Sequence, residues 1–163
     1  MPTIGLPHSF VAYQLTNGSL VNVSIVDTAG QEKLRTLSNQ YYKKADGILL
    51  VYDITNTRSL DEIKNYYCKK IKDNCKDGIK VILLGNKTDL EEKRKISPED
   101  GANFAAENDF MFLETSCMKN ENVAGGFETL IELTYRDVLK NQRNESIVLS
   151  QTQDQGQKRG RCC

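Results

Sequence analysis

The sequence predicts an α/β domain built on a largely parallel sheet with helices on both faces, and three observations carry that prediction. Strand-like and helix-like patterns alternate along the chain, which is the order that βαβ units produce. GILLVYD at 47–53 and KVILLGN at 80–86 are continuous apolar runs bounded by glycine or polar residues, as strands covered on both faces are. Between them, Leu60, Ile63, Tyr67 and Ile71 recur at three- and four-residue spacing, the apolar stripe of a helix laid on such a sheet.

The elements follow in order. Residues 9–16, SFVAYQLT, and 19–27, SLVNVSIVD, flank Asn17-Gly18, a two-residue turn signal that predicts an antiparallel hairpin. The first helix spans Thr57 to Cys75 between the two apolar strands. Ser97-Pro98-Glu99-Asp100 starts a second helix, with a serine cap, proline at the first helical position and acids in the first turn. MFLETS at 111–116 is a shorter strand. A third helix runs from about Asn122 to Gln142, with Val123, Phe127, Leu130, Thr134 and Val138 on one side. Residues 143–163 are polar and glutamine-rich, so a domain over 1–142 and a disordered tail over 143–163 are expected.

Composition narrows the classes. A chain of 163 residues fits one domain with an ordinary core. Lys+Arg and Asp+Glu both number 22, which gives no electrostatic footprint of a nucleic-acid partner. No run approaches the ~18 apolar residues of a membrane span. MPTIGLPHSF lacks the basic-then-apolar layout of a signal peptide, and a cytosolic chain is expected. The five cysteines include no pair of C-x-x-C motifs, and the only histidine is His8, which argues against zinc. Cys68, Cys75 and Cys117 read as reduced, packed thiols.

In an open parallel sheet, ligands gather outside the carboxyl ends of the strands, and three motifs lie at three such ends: Asp27-Thr28-Ala29-Gly30-Gln31, Asn86-Lys87-Thr88-Asp89 and Glu114-Thr115-Ser116-Cys117. Asp27 can hold Mg²⁺ through a water, because magnesium keeps several waters and takes few carboxylates. Gly30 leaves its N–H open to a phosphate oxygen. Gln31 is placed to orient an attacking water. Asp89 can accept hydrogen bonds from the ring N–H and exocyclic amine of guanine. Adenine offers neither donor there and would leave the carboxylate unpaired. Asn86 and Lys87 fix the loop and cover the base, and the backbone at Ser116–Cys117 meets the guanine oxygen. Taken singly, D-x-x-G and N-K-x-D occur in ordinary turns and caps. It is the three together, in this order at three strand ends, that point to guanine nucleotide.

With these motifs, YYKKADGILLVYDIT at 41–55, GNKTDL at 85–90 and ETS at 114–116, the chain resembles the Rab branch of the Ras-like small GTPases. The likeness runs from Pro2-Thr3-Ile4-Gly5 to about Gln142. It implies a Ras-like P-loop NTPase fold and a GTP/GDP switch that hydrolyses GTP in vesicle traffic. Thr3 matches the threonine of the first switch, whose hydroxyl binds Mg²⁺ in the GTP state. The resemblance also implies an exchange factor, a GTPase-activating protein, effectors, a prenylation escort and a GDP-dissociation inhibitor as partners. The terminal Cys162-Cys163 matches the family's double geranylgeranylation signal, which places the protein on the cytosolic face of intracellular membranes. Two lipid chains anchor stably where one does not, and Lys158, Arg159 and Arg161 add attraction to anionic lipid.

The departures from the family pattern are Val26 where tryptophan is usual, Leu34 where phenylalanine is usual, and Cys117-Met118 where Ala-Lys follows ETS. Met118 can still pack on the base. Nothing in these residues reads G-x-x-x-x-G-K-[ST], the loop that cradles phosphates. It would lie upstream of Thr3, with the first strand before it and the first helix after it. The expectation is therefore a fold truncated at its N-terminus, from a fragment, a shortened reading frame or an alternative start. A second reading, from another class, is a non-hydrolysing prenylated interaction protein.

Overall fold

The structure, a computed structural model, describes residues 8–27 and 38–156, with side chains described for 9–27 and 39–140. Strands β1 (His8–Gln14) and β2 (Leu20–Val26) pair antiparallel, from His8 opposite Val26 to Gln14 opposite Leu20. Their connection is one residue longer than the expected Asn17-Gly18 turn. Gly18 N–H closes on the Leu15 carbonyl at 2.9 Å and Leu15 N–H on the Ser19 carbonyl at 2.8 Å. The loop is therefore Thr16-Asn17-Gly18, with Gly18 in the left-handed region at φ 84°, where a residue without Cβ carries no penalty. Asn17 Oδ1 accepts the Ser19 N–H at 2.9 Å and stiffens the turn.

The second sheet is parallel, in the order β3 (Gly47–Asp53), β4 (Lys80–Asn86), β5 (Met111–Thr115). Its register sets Asp53 opposite Asn86, and Asn86 opposite Thr115. The central strand is buried on both faces, as its unbroken apolar run predicts. Val81 and Leu83 join Leu50, Tyr52, Leu60, Ile63, Ile71, Ile96 and Phe104 in one cluster. Ile82 and Leu84, on the opposite face, are 0% and 5% exposed. Complete burial of one such side chain contributes roughly 1.5–3 kcal/mol.

Helices cover both faces. The stripe from Thr57 forms α2 (Thr57–Glu62), a π turn (Ile63–Tyr67) and α3 (Cys68–Asn74). A short α1 (Ser38–Lys44) precedes β3, and a 3₁₀ turn (Thr88–Lys93) follows β4. In α4 (Pro98–Glu107) the Ser97 cap is a full capping box: Asp100 N–H donates to Ser97 Oγ at 3.0 Å, and Ser97 N–H to Asp100 Oδ2 at 3.3 Å. The last helix, α5 (Val123–Gly156), lies against β3 and β4. It continues past Gln142 through residues expected to be a disordered tail. No proline or glycine interrupts 127–155, so the backbone keeps its hydrogen-bond ladder until Gly156.

The hairpin and the parallel sheet are separate sheets. The hairpin touches α5 through its loop, where Thr16 N–H donates to Glu132 Oε1 at 2.7 Å.

Candidate nucleotide-binding site

The in-register ends of β3, β4 and β5 put Asp53, Asn86 and Thr115 side by side. From there the chain builds a loop cluster out of two of the predicted motifs. Asn86 Oδ1 accepts from Thr115 Oγ1 at 3.3 Å and from the Cys117 N–H at 3.4 Å. Thr88 Oγ1 donates to the Thr115 carbonyl at 3.2 Å. Ser116, wholly buried, donates its hydroxyl to Asp89 Oδ1 at 2.6 Å and accepts the Lys119 N–H at 3.1 Å. Its backbone N–H and carbonyl both bond Glu121, at 3.1 and 2.9 Å. Asn120 and Asn122 take the left-handed backbone at φ 55° and 57°, which asparagine tolerates better than most residues. Asn122 Nδ2 ties the turn back to the Glu114 carbonyl at 2.9 Å.

This network fixes the half-buried carboxylate of Asp89. One oxygen is oriented by a hydroxyl, and a carboxylate has about four lone-pair sites, so capacity for two donors on a ligand remains. A planar group with two adjacent N–H donors, as on guanine, matches that capacity. The expected role of the Ser116–Cys117 backbone narrows. Both Ser116 main-chain groups are used by Glu121, and the Cys117 N–H is held by a longer bond, 3.4 Å to Asn86 Oδ1.

Lys87 follows Asn86 in the same loop. Its backbone is left-handed, at φ 74° and ψ 38°, and its Nζ lies 2.6 Å from Asp53 Oδ2. Asp53 Oδ1 accepts the Thr55 N–H at 2.8 Å and its hydroxyl at 2.7 Å. Burial pushes the Asp53 carboxyl up, but the bonds from Lys87 and Thr55 together hold it below its ordinary range. Asp53 belongs to none of the three strand-end motifs, although the stretch YYKKADGILLVYDIT contains it. The signal available was positional: it ends GILLVYD at the same rim as Asn86. Arg94 was missed too. It grips Glu114 with two bonds, 2.6 and 3.0 Å, and Glu91 with two more, 2.8 and 2.7 Å, tying the loop after β4 to β5.

The other predicted residues stand differently. Met118 is 85% exposed, and Asp27 is an exposed residue just past β2. Among the described residues no cluster of three or more metal-ligating side chains occurs. Magnesium does not require one, since one or two carboxylates plus substrate phosphates and waters suffice. Thr3, Gly30, Gln31, Cys162 and Cys163 lie outside the described residues. No helix among the described residues is long and apolar enough to cross a membrane.

Comparison with known proteins agrees with this chemistry. A model of the Ras family matches residues 1–136. Ras-related protein Rab-8B of Homo sapiens is 41% identical over 128 residues, which cover 78% of this chain and 61% of the relative. Rab-8A of Bos taurus gives the same identity and coverage. Rab-13 of Canis lupus familiaris is 42% identical over 122 residues, 75% of this chain and 58% of the relative. The chain thus spans about three-fifths of the length of the relatives it matches.

Proposed function

Since the chain belongs to the Ras family, as a Rab-like small GTPase of Ras-like fold, we propose that it acts as a GTP/GDP switch in vesicle-mediated traffic, hydrolysing GTP to GDP and phosphate. One observation supports the guanine reading above the rest: the 2.6 Å bond from the buried Ser116 hydroxyl to Asp89, which joins N-K-x-D to E-T-S and orients the base-reading carboxylate. Asn86, Lys87, Asp89, Ser116, Cys117 and Met118 surround the base, and Gly30 meets a phosphate oxygen. Gln31 orients the attacking water. Thr3 and Asp27 hold Mg²⁺, which when bound supplies charge neutralisation at the phosphates. A GTPase-activating partner adds charge stabilisation through an arginine. An exchange factor, effectors, a prenylation escort and a GDP-dissociation inhibitor complete the cycle, with lipid on Cys162 and Cys163 as the anchor.

The test is titration of fluorescent GDP against the purified chain with Mg²⁺, with excess GTP or ATP as competitor. Displacement by GTP and not by ATP is expected. Equal displacement by GTP and ATP would remove the guanine assignment.

A further inference from the structure

A second connection runs beside the bond from Ser116 to Asp89. Glu91 follows Asp89 by two residues, Glu114 precedes Ser116 by two, and Arg94 joins that flanking pair. Its Nε and one terminal nitrogen hold Glu91 at 2.8 and 2.7 Å. Its two terminal nitrogens hold Glu114 at 2.6 and 3.0 Å, and one of them also donates to the Ile96 carbonyl at 3.1 Å. All five N–H donors of the guanidinium are thereby taken. We infer that Arg94 is a positioning residue that fixes the spacing between the Asp89 carboxylate and the Ser116–Cys117 turn, and so sets the preference for a base with two adjacent N–H donors over a base with one. The inference rests on the guanine reading of the site.

The build of the clamp suits this role. A guanidinium is planar and rigid, so two carboxylates gripped on two of its edges keep a fixed separation. The Arg94 and Glu114 side chains are 14% and 22% exposed, and partly buried charges are screened less than surface ones. The segment that carries Arg94 is anchored in the core. The N–H groups of Lys95 and Ile96 both donate to the Ile54 carbonyl, at 2.9 and 3.1 Å, and Ile54 and Ile96 are 0% and 4% exposed. Arg94 therefore reaches from a fixed base to both loops of the site. A carboxylate that must meet two donors at once has little tolerance for displacement, because hydrogen bonds weaken steeply off axis. A single donor can follow an acceptor that has shifted. Loosening the clamp costs the two-donor base more.

The test uses the full chain with Arg94→Lys, which keeps the charge but offers its donors from one point, and with Glu91→Ala. The Glu91 side chain is 64% exposed, so its removal leaves the core packed even where Arg94→Lys fails to fold. Affinities are compared for fluorescent GDP and, by competition, for inosine diphosphate, which lacks the exocyclic amine. Arg94→Lys is expected to weaken GDP by about tenfold and inosine diphosphate by no more than about threefold. Glu91→Ala should move the ratio the same way by about two- to threefold. Equal losses for the two nucleotides, as from a brace that serves folding alone, or an unchanged ratio in Glu91→Ala, overturn the proposal. A second readout needs no nucleotide: amide exchange in the free chain. Ser116 and Glu121 each donate an N–H to the other's carbonyl. Arg94→Lys should speed exchange at both by at least about tenfold while Ile82 and Leu83 keep their protection. An unmodified chain that binds GDP no better than inosine diphosphate counts against the guanine reading. In that case, or where it binds neither, exchange alone decides the hold of Arg94 on the loops, and unmoved Ser116 and Glu121 amides overturn it.

Discussion

The hydroxyl of Tyr52 is buried without a hydrogen-bond partner among the described residues, wedged between β4 and α4 where Gly85 and Gly101 leave it room. Removing such a group relieves an unmade bond, so Tyr52→Phe should leave stability unchanged or raise it by about 1 kcal/mol in urea unfolding. The pH dependence follows from the same burial, which pushes the Tyr52 hydroxyl up to about 12. Below the unfolded value of about 10 both states keep the proton and the contribution is whole. Above it the unfolded chain ionises first, and stability falls between pH ~10 and ~12 by about 3 kcal/mol. Tyr42 is raised to about 12 as well, so Tyr52→Phe should flatten the alkaline loss in part; an unchanged slope would count against it. At Asp89 the prediction concerns specificity. An asparagine there presents an amide donor where guanine also presents donors, and xanthine replaces the exocyclic amine with a carbonyl. Asp89→Asn should therefore lose GDP by about a hundredfold or more and gain xanthosine diphosphate, measured by competition. The fixed spacing of N-K-x-D singles out Asp89 in the sequence, and its place in the loop cluster is what the structure adds. The Lys87–Asp53 pair was not legible in the sequence, since the register that joins them belongs to the folded sheet.

The elements show the same division. The strands GILLVYD and KVILLGN and the Ser97 capping box formed as read, because burial on both faces and a side-chain cap are written in consecutive residues. The hairpin loop and the π turn within the helix from Thr57 were not read correctly. Each depends on which of several nearby hydrogen bonds closes, and neighbouring contacts decide that. Helix α4 allows a direct contest between local propensity and packing. In an isolated helix, Gly101→Ala would gain about 1 kcal/mol. Here the new Cβ would meet the Tyr52 hydroxyl, and the Phe112 ring at 2.8 Å, in a core with no slack. Overpacking of this kind costs about 1–3 kcal/mol, so the substitution should lower the urea midpoint despite the better helix former. A raised midpoint would mean that Tyr52 and Phe112 can move aside.

At the scale of the molecule, stability is divided between two sheets of unequal support. The parallel sheet holds Ile82 and Leu83 at 0% exposure between layers of helix. The hairpin buries one face in part and leaves Phe10 and Leu20 at 76% and 75% exposure, and a two-stranded ribbon alone is marginal in water. Its loop is tied down by Thr16 to Glu132 and by Leu15, which is 3% exposed. Amide exchange in the native chain should therefore open the hairpin at a lower free energy than the core. Amides paired between β1 and β2 should exchange at least about tenfold faster than those of Ile82, Leu83 and Leu84, a difference of ~1.4 kcal/mol. Glu132→Ala should widen the gap by speeding the hairpin alone. Equal protection across both sheets, with the same response to Glu132→Ala, would mean that hairpin and core open as one unit. A ligand read by the rim of β3, β4 and β5 would then be coupled to the segment after β2 through global stability, and otherwise only through the ligand itself.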